Sequence, residues 1–182
     1  MNEKESVLLK RDVVGITIPD GIHVCVKKDQ IITIYQSLGN NYTILSEDGQ
    51  MVRIAGEDAD AIGKKVIDKE KVFSGSDYES VEKNVWDAMR MVFDPEIPVS
   101  IVELGLIYNC QIILIEKEQY KVNITMTLTS AGCGMGPIIQ GDVEQVVSKL
   151  PYIKEVSVEV VFDPPWSQYM ISEVAKLELG MF

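Results

Sequence analysis

Across residues 127–137, TLTSAGCGMGP, a strand-like alternation breaks into glycines around Cys133 and then gives way to apolar residues at helical spacing. A thiol at such a junction lies near backbone N–H groups and the positive end of a helix dipole. Both favour the thiolate, and with it nucleophilic or metal-binding chemistry. Gly132, Gly134 and Gly136 relieve the steric limits on the backbone beside the cysteine, and Thr127, Thr129 and Ser130 add hydroxyls. Spacing alone leaves two readings open: a functional thiol, or a glycine turn in which Cys133 is incidental.

A second group of chemistry-bearing residues is DPEIPV, which carries Asp94 and Glu96. Its loop could approach the cysteine loop across a sheet edge. Carboxylates beside a thiol raise its pKa unless a cation intervenes, so the pair suits a mixed carboxylate and thiolate metal site better than a bare nucleophile. The alternative is that Asp94 and Pro95 only end a helix. His23 is the single histidine, so a catalytic triad would have to use it, and no nucleophile elbow lies near it in sequence. Alternation in IHVCVKK puts His23 and Cys25 on the face opposite Ile22, Val24 and Val26, which reads as a solvated histidine and a partly exposed, passive cysteine. Cys110 shares its strand face with Leu106, Tyr108, Ile112 and Leu114 and reads as a core cysteine.

These residues need elements to position them. Residues 1 to about 63 read as short strands cut by Pro19-Asp20-Gly21, Lys28-Asp29, Gly39-Asn40-Asn41 and Asp48-Gly49, as in a small β-barrel or sandwich. The charged, glycine-bearing run GEDADAIGKKVIDKEKVFSGSD reads as a linker, with β-rich and α/β domains at 1–70 and 76–182. The second domain opens on a helix with Val81, Val85, Met89 and Val92 at helical intervals, and Ser76 and Glu79 at capping-box spacing. LIYNCQIILI and YKVNITMTLT then form a hairpin about EKEQ. Pro137 starts a helix, IKEVSVEVVF gives a third strand, and a last helix follows DPPW with Ser167 as its cap. Helix, strand, strand, helix, strand, helix implies an antiparallel hairpin joined through a right-handed crossover to a parallel neighbour. The fold class is α+β: a small all-β domain, then a compact α/β domain with a three-stranded mixed sheet packed by helices.

Composition limits what such a site could serve. The chain has 182 residues, 46% of them hydrophobic, and a net charge of -11 that disfavours nucleic acid or an acidic membrane surface as the main partner. Residues 76–182 hold most of that excess, with seven basic against 16 acidic side chains. No stretch has the length and apolarity of a membrane span, and MNEKESVLLKRD lacks the apolar core of a signal peptide, so the expected location is cytoplasmic. Three well-separated cysteines suit neither a disulfide framework nor a self-contained zinc site.

In order and spacing, DPEIPVSIVELGLIY, TMTLTSAGCGMGP and FDPPWSQYMISE resemble the PaaD-like iron-sulfur assembly domain. The β-rich piece, with IPDGIHVCVKK, QSLGNNYTIL and MVRIAGEDADAIGKK, is similar to the N-terminal extension of two-domain SufT-type proteins. The resemblance implies a non-enzymatic maturation factor that helps iron-sulfur clusters reach apo-proteins. By position it implies a surface of Asp94, Glu96, Ile97, Thr129, Ser130 and Cys133, with Cys133 contributing to transient metal or cluster binding. Many single-domain members have proline after the cysteine, where this chain has Gly134, and the loop is freer for it. Trp166 in DPPW matches the family as well, with packing and docking roles both open. A cluster needs about four protein ligands, so the remainder would come from scaffold or carrier proteins, from recipient apo-proteins, or from a homodimer that brings two Cys133 loops together. Two other classes stay open: a thiol enzyme for acyl or persulfide transfer, which lacks a nearby base, and an adaptor in which Cys133 is dispensable.

Overall fold

The computed structural model describes residues 4–39, 41–66, 75–132 and 134–181. The chain divides into two compact units, residues 1–69 and 70–182.

The first unit holds six strands, β1 (Glu5–Leu8), β2 (Val13–Thr17), β3 (His23–Val26), β4 (Ile31–Leu38), β5 (Asn41–Leu45) and β6 (Met51–Ile54). They form one antiparallel sheet in the order β1-β4-β5-β6-β2-β3, rather than the two sheets of a sandwich. Alternation drives each strand to send one side chain in two inward. Leu9, Val13, Val26, Ile32, Ile34, Ile44, Val52 and Ile54 build the core from every part of the sheet. The turns follow from local chemistry: Thr17 accepts a hydrogen bond from the Ile22 N–H at 3.1 Å, and Asp29 and Gly49 take positive φ.

The expected linker is corrected at its start. Gly56–Ile62 is a 3-10 helix whose Ala59, Ala61 and Ile62 are buried, closed by Gly63 at φ +76. Its polar residues mask an apolar edge that belongs to the first unit's core. The continuation of that run through 67–74 lies outside the described residues.

The second unit runs α1 (Tyr78–Met89), β7 (Ile107–Glu116), β8 (Gln119–Met126), α2 (Gly136–Ser148), β9 (Ile153–Val160) and α3 (Glu173–Glu178), with a 3-10 turn at Gln168–Met170 before α3. β7 and β8 pair antiparallel, and β8 and β9 pair parallel through the α2 crossover, giving the mixed three-stranded sheet. Val81, Val85 and Met89 of α1 and Ile139, Val143 and Val147 of α2 are buried, as are Tyr120, Val122, Ile124 and Met126 of β8. The apolar positions predicted for α1, α2 and β8 therefore lie at the core, whereas Val156, Val158 and Val160 of β9 are half-buried and, within β7, the predicted face is buried only at Ile112.

Two caps differ from expectation. Asp77, not Ser76, precedes α1 in extended geometry and accepts the Ser80 N–H at 2.9 Å, while the Ser76 hydroxyl donates to Glu118 at 3.0 Å. Ser172, not Ser167, caps α3 by accepting the Ala175 N–H at 3.2 Å, because the 3-10 turn intervenes and delays the helix.

Candidate functional site

Two loops carry the sequence's candidate residues, and a short path of backbone hydrogen bonds ties their bases together. The Ile101 N–H donates to the Val92 carbonyl at 2.9 Å, Leu106 to Ile101 at 2.9 Å, and Thr127 to Leu106 at 2.8 Å. Val161, just past β9, joins the same corner by donating to the Met126 carbonyl at 2.8 Å. The bases of the 94–99 and 127–135 loops thus share one rigid support. Cys133 itself lies outside the described residues, so the geometry of the site is that of its flanks.

In the first loop Asp94 is 5% exposed, and its Oδ1 accepts N–H bonds from Glu96 at 2.8 Å and Ile97 at 2.9 Å. This carboxylate folds the loop, in the way an Asx turn uses its side chain. Glu96 is exposed and Ile97 half-buried, so the carboxylate free to meet a ligand from this loop is that of Glu96.

The second loop is anchored at both ends and bare in the middle. Thr127 and Met135 are fully buried and Leu128 nearly so, whereas Thr129 is half-buried and Ser130, Ala131, Gly132 and Gly134 are exposed. The glycines serve different ends. A Cβ on Gly136 would meet Leu128 Cδ1 at 2.6 Å, so this glycine lets the first turn of α2 pack against the strand end, while a Cβ on Gly132 meets nothing within 4 Å. No side chain caps α2 and no acidic residue sits in its first turn; Pro137 has no N–H and the Ile138 N–H donates to the Met135 carbonyl at 3.0 Å, so what this end offers is chiefly its dipole, without a competing carboxylate. Ser130 Oγ instead accepts the Gly132 N–H, at 3.4 Å.

Sequence reasoning missed two parts of this corner, at Glu103 and Gly105, and counted the Thr127 hydroxyl among those of the loop without foreseeing its burial. Glu103 clamps the C-terminal segment: its carbonyl accepts the Ser172 N–H at 2.8 Å and its carboxylate accepts the Ser172 hydroxyl. Gly105 at φ +70 lies so close to Met170 that a Cβ would fall 2.4 Å from its carbonyl oxygen. The Thr127 hydroxyl, finally, is buried with no hydrogen-bond partner among the described residues, a costly state for a polar group. Only the glycine in ELG offered a sequence signal, for a tight turn. Trp166 has a structural role: its Nε1–H donates to the Leu104 carbonyl at 2.8 Å, and beside it the Tyr108 hydroxyl donates to the Pro164 carbonyl at 2.8 Å.

The other thiols separate cleanly. Cys110 is half-buried rather than in the core, since β7 runs past the helices and leaves Leu114 60% exposed. Burial, with Glu82 adding to it, pushes the Cys110 thiol up to about 11, so it is mostly protonated at neutral pH. Cys25 and His23 are exposed on β3 of the first unit, and Cys25 contributes after Asp12 to raising the pKa of Lys27. Among the described residues no three His, Cys, Asp or Glu side chains gather into a metal-binding group, and no helix is long and apolar enough to cross a membrane.

Known proteins resemble the second unit. The family described as iron-sulfur cluster assembly protein matches residues 82–160. "Fe-S protein maturation auxiliary factor YitW" of Bacillus subtilis is 40% identical over 103 residues, 57% of this chain and 97% of its own. "Fe-S protein maturation auxiliary factor SufT" of Staphylococcus aureus is 41% identical over 91 residues, 50% of this chain and 99% of its own. A "Fe-S protein maturation auxiliary factor" of Porphyromonas gingivalis is 37% identical over 105 residues, 58% of this chain and 96% of its own. These alignments use up nearly all of each relative and leave no room in it for a counterpart of the six-stranded first unit. Through its second unit, the chain belongs to the iron-sulfur cluster assembly protein family.

Proposed function

We propose that this protein is an auxiliary factor in the maturation of iron-sulfur proteins, and that its second unit handles a cluster or metal as cargo in transit. The observation that carries the reading is the likeness of that unit to three proteins named for this task, along almost their entire lengths. The site geometry supports it. The described neighbours of Cys133 in sequence, Ser130 to Gly132 and Gly134, are exposed, and Met135 before α2 makes no side-chain cap, a setting in which a thiol would be open to another macromolecule and favoured as thiolate by the helix dipole.

In this reading Cys133 provides the thiolate that touches the cargo. Thr129 and Ser130 flank it with hydroxyls, Glu96 adds a carboxylate, and Asp94 holds the 94–99 loop that presents Glu96 and Ile97. A cluster requires about four ligands, and Cys110, protonated with a pKa of about 11, is a poor candidate for one of them. The missing ligands come from a scaffold or carrier protein, from the recipient apo-protein, or from a second copy of the chain. Binding is therefore transient, and the protein acts by passing cargo on rather than by catalytic turnover.

The test is complementation. Cells lacking the protein are supplied with wild type, Cys133→Ser or Glu96→Gln, and the activities of their iron-sulfur enzymes are measured. Wild type restores them, Cys133→Ser fails while accumulating as folded protein, and Glu96→Gln falls between. Full restoration by Cys133→Ser would overturn the assignment of the thiol. Anaerobic reconstitution followed by Mössbauer spectroscopy gives an independent check, since a stoichiometric cluster stable in monomeric Cys133→Ser would contradict a borrowed-ligand site.

A further inference from the structure

The two edge strands of the second unit's sheet are guarded very differently. β9 carries Lys154, Glu155 and Glu159; Glu155 pairs with Lys121 of β8, and Lys154 reaches across to Glu116 at the very end of β7, each at 3.2 Å. Charged edges of this kind keep strands from pairing with other chains. β7, the opposite edge, carries no charge from Ile107 through Ile115. Ile113, Leu114 and Ile115 on it are 42%, 60% and 39% exposed. Register shifts at Tyr108 and Ile115 leave one regular run between them, Asn109 to Leu114, whose outer N–H and C=O groups have no neighbouring strand among the described residues.

We propose that β7 is a homodimer edge, on which two copies of the chain pair their β7 strands antiparallel about a two-fold axis at Ile112. Charge selects the occupant. In a protein of net charge -11, partners drawn by the field are basic, and a basic segment laid on this strip would lose water from its cations without gaining a carboxylate opposite them. A second β7 brings no charge from Ile107 through Ile115, and its single carboxylate, Glu116, lies at the end of the strand. Geometry agrees: an antiparallel edge is self-complementary under a two-fold axis, and pairing requires residues on the same sheet face to lie opposite each other. With the axis at Ile112 the uncharged run covers itself, Cys110 faces the partner's Leu114, and Gln111 faces the partner's Ile113. The exposed Leu114 is then covered beside a half-buried thiol, and Glu116 falls at the rim. The interface is independent of the cluster reading and would hold if Cys133 proved inert.

Sedimentation velocity on the full chain, from about 1 to 200 μM, reads the association. The wild type sediments as a dimer of the 20.3 kDa chain at the upper concentrations, with no loss of dimer between about 0.15 and 0.5 M salt because no ion pair holds it. Ile113→Lys, at an exposed position, weakens the dimer at least tenfold. Leu114→Cys under catalysed oxidation gives a covalent dimer, bridged from Cys110 of one copy to the introduced thiol of the other and located by peptide mass spectrometry. That bridge must be between copies, since positions 110 and 114 of one strand lie about 13 Å apart. A wild type monomeric throughout, a dimer dispersed by salt or untouched by Ile113→Lys, or cross-links confined to Cys25 or Cys133 would each overturn the proposal.

Discussion

The two units use buried polarity in contrasting ways. In the first, the buried polar residues among those described are Thr17 and Thr43, set within strands, and charged pairs lie on the surface, as where Arg11 meets Asp58 and Asp60. In the second, Asp94, Ser100 and Thr127 are buried at the bases of the two candidate loops. A buried polar group is tolerated when it shapes something that apolar packing cannot. Asp94 shapes the 94–99 loop. Thr127, at the base of Cys133's loop, is left without a partner among the described residues, as are Gln36 Nε2 in the first unit and Gln119 Oε1 at the start of β8, so it is the placement of Asp94, Ser100 and Thr127 at the loop bases that distinguishes the second unit. The difference teaches that the first unit is organised for its core and the second around its loops.

That contrast can be broken by perturbing one unit and watching both. Both tryptophans, Trp86 and Trp166, lie in the second unit, so fluorescence reports on it alone, while far-ultraviolet circular dichroism reports on both. The largest effect is expected from Gly15→Val. A Cβ on Gly15 of β2 would lie 2.3 Å from Val52 Cγ1 and 2.8 Å from the Arg53 carbonyl oxygen on β6. The backbone oxygen has little room to yield, so overpacking should cost the first unit about 1–3 kcal/mol. The dichroism transition should move to lower temperature with the fluorescence transition unchanged. If both move together, the units are coupled and the contrast is not one of separate designs.

Asp94→Ala probes the other side, with a smaller effect. It removes the acceptor of two N–H bonds, but Glu96 is exposed and Ile97 half-buried, so water can take up the donors and the loss is nearer the net value of one hydrogen bond, about 0.5–1.5 kcal/mol, than the cost of orphaned buried groups. The fluorescence transition should fall while the first unit's contribution to dichroism holds, and Asp94→Asn should recover part of the loss because its side-chain oxygen can still accept. A variant as stable as wild type would mean that the loop keeps its shape without the turn, which would return Asp94 to the role of a ligand carboxylate.

How much of this could be read in advance depends on the range of the interaction. The mixed sheet was legible because the turn EKEQ, Pro151 and the period-two pattern of β8 are local signals that the core then reinforces. Helix starts were legible only to within a residue or more. Ser76 and Asp77 are both good caps, and backbone geometry at Asp77, not composition, decides between them. The buried Ala59, Ala61 and Ile62 were hidden because GEDADAI is polar by count and apolar only along one edge. The Glu103–Ser172 clamp joins residues 69 apart in sequence, beyond the reach of any local pattern. The carboxylates of Asp94 and Glu96 look alike in sequence, and what separates them is that one is already occupied by its own backbone.

The smallest expected effect is a pH dependence confined to the second unit. Asp77 accepts from the Ser80 hydroxyl at 2.6 Å and from the Ser80 N–H at 2.9 Å, and these bonds, the hydroxyl foremost, lower its pKa. A carboxyl depressed on folding stabilises the fold above its unfolded value of about 4, and that stabilisation fades as pH falls through the lower folded value. The cap of α1 should therefore be fully effective at neutral pH and lost in acid, when the protonated carboxyl accepts less well. Asp77→Asn keeps a side-chain oxygen at the cap without a titrating group. In fluorescence melts from neutral pH down to about 3, its advantage over Asp77→Ala should stay constant, while that of wild type over Asp77→Ala should shrink below about pH 4. The dichroism of the first unit, whose Asp12, Asp48 and Asp60 are also lowered by their own partners, should respond to acid equally in all three proteins. If Asp77→Asn shows the same acid loss relative to Asp77→Ala as wild type does, another group carries the titration and the cap is not its source.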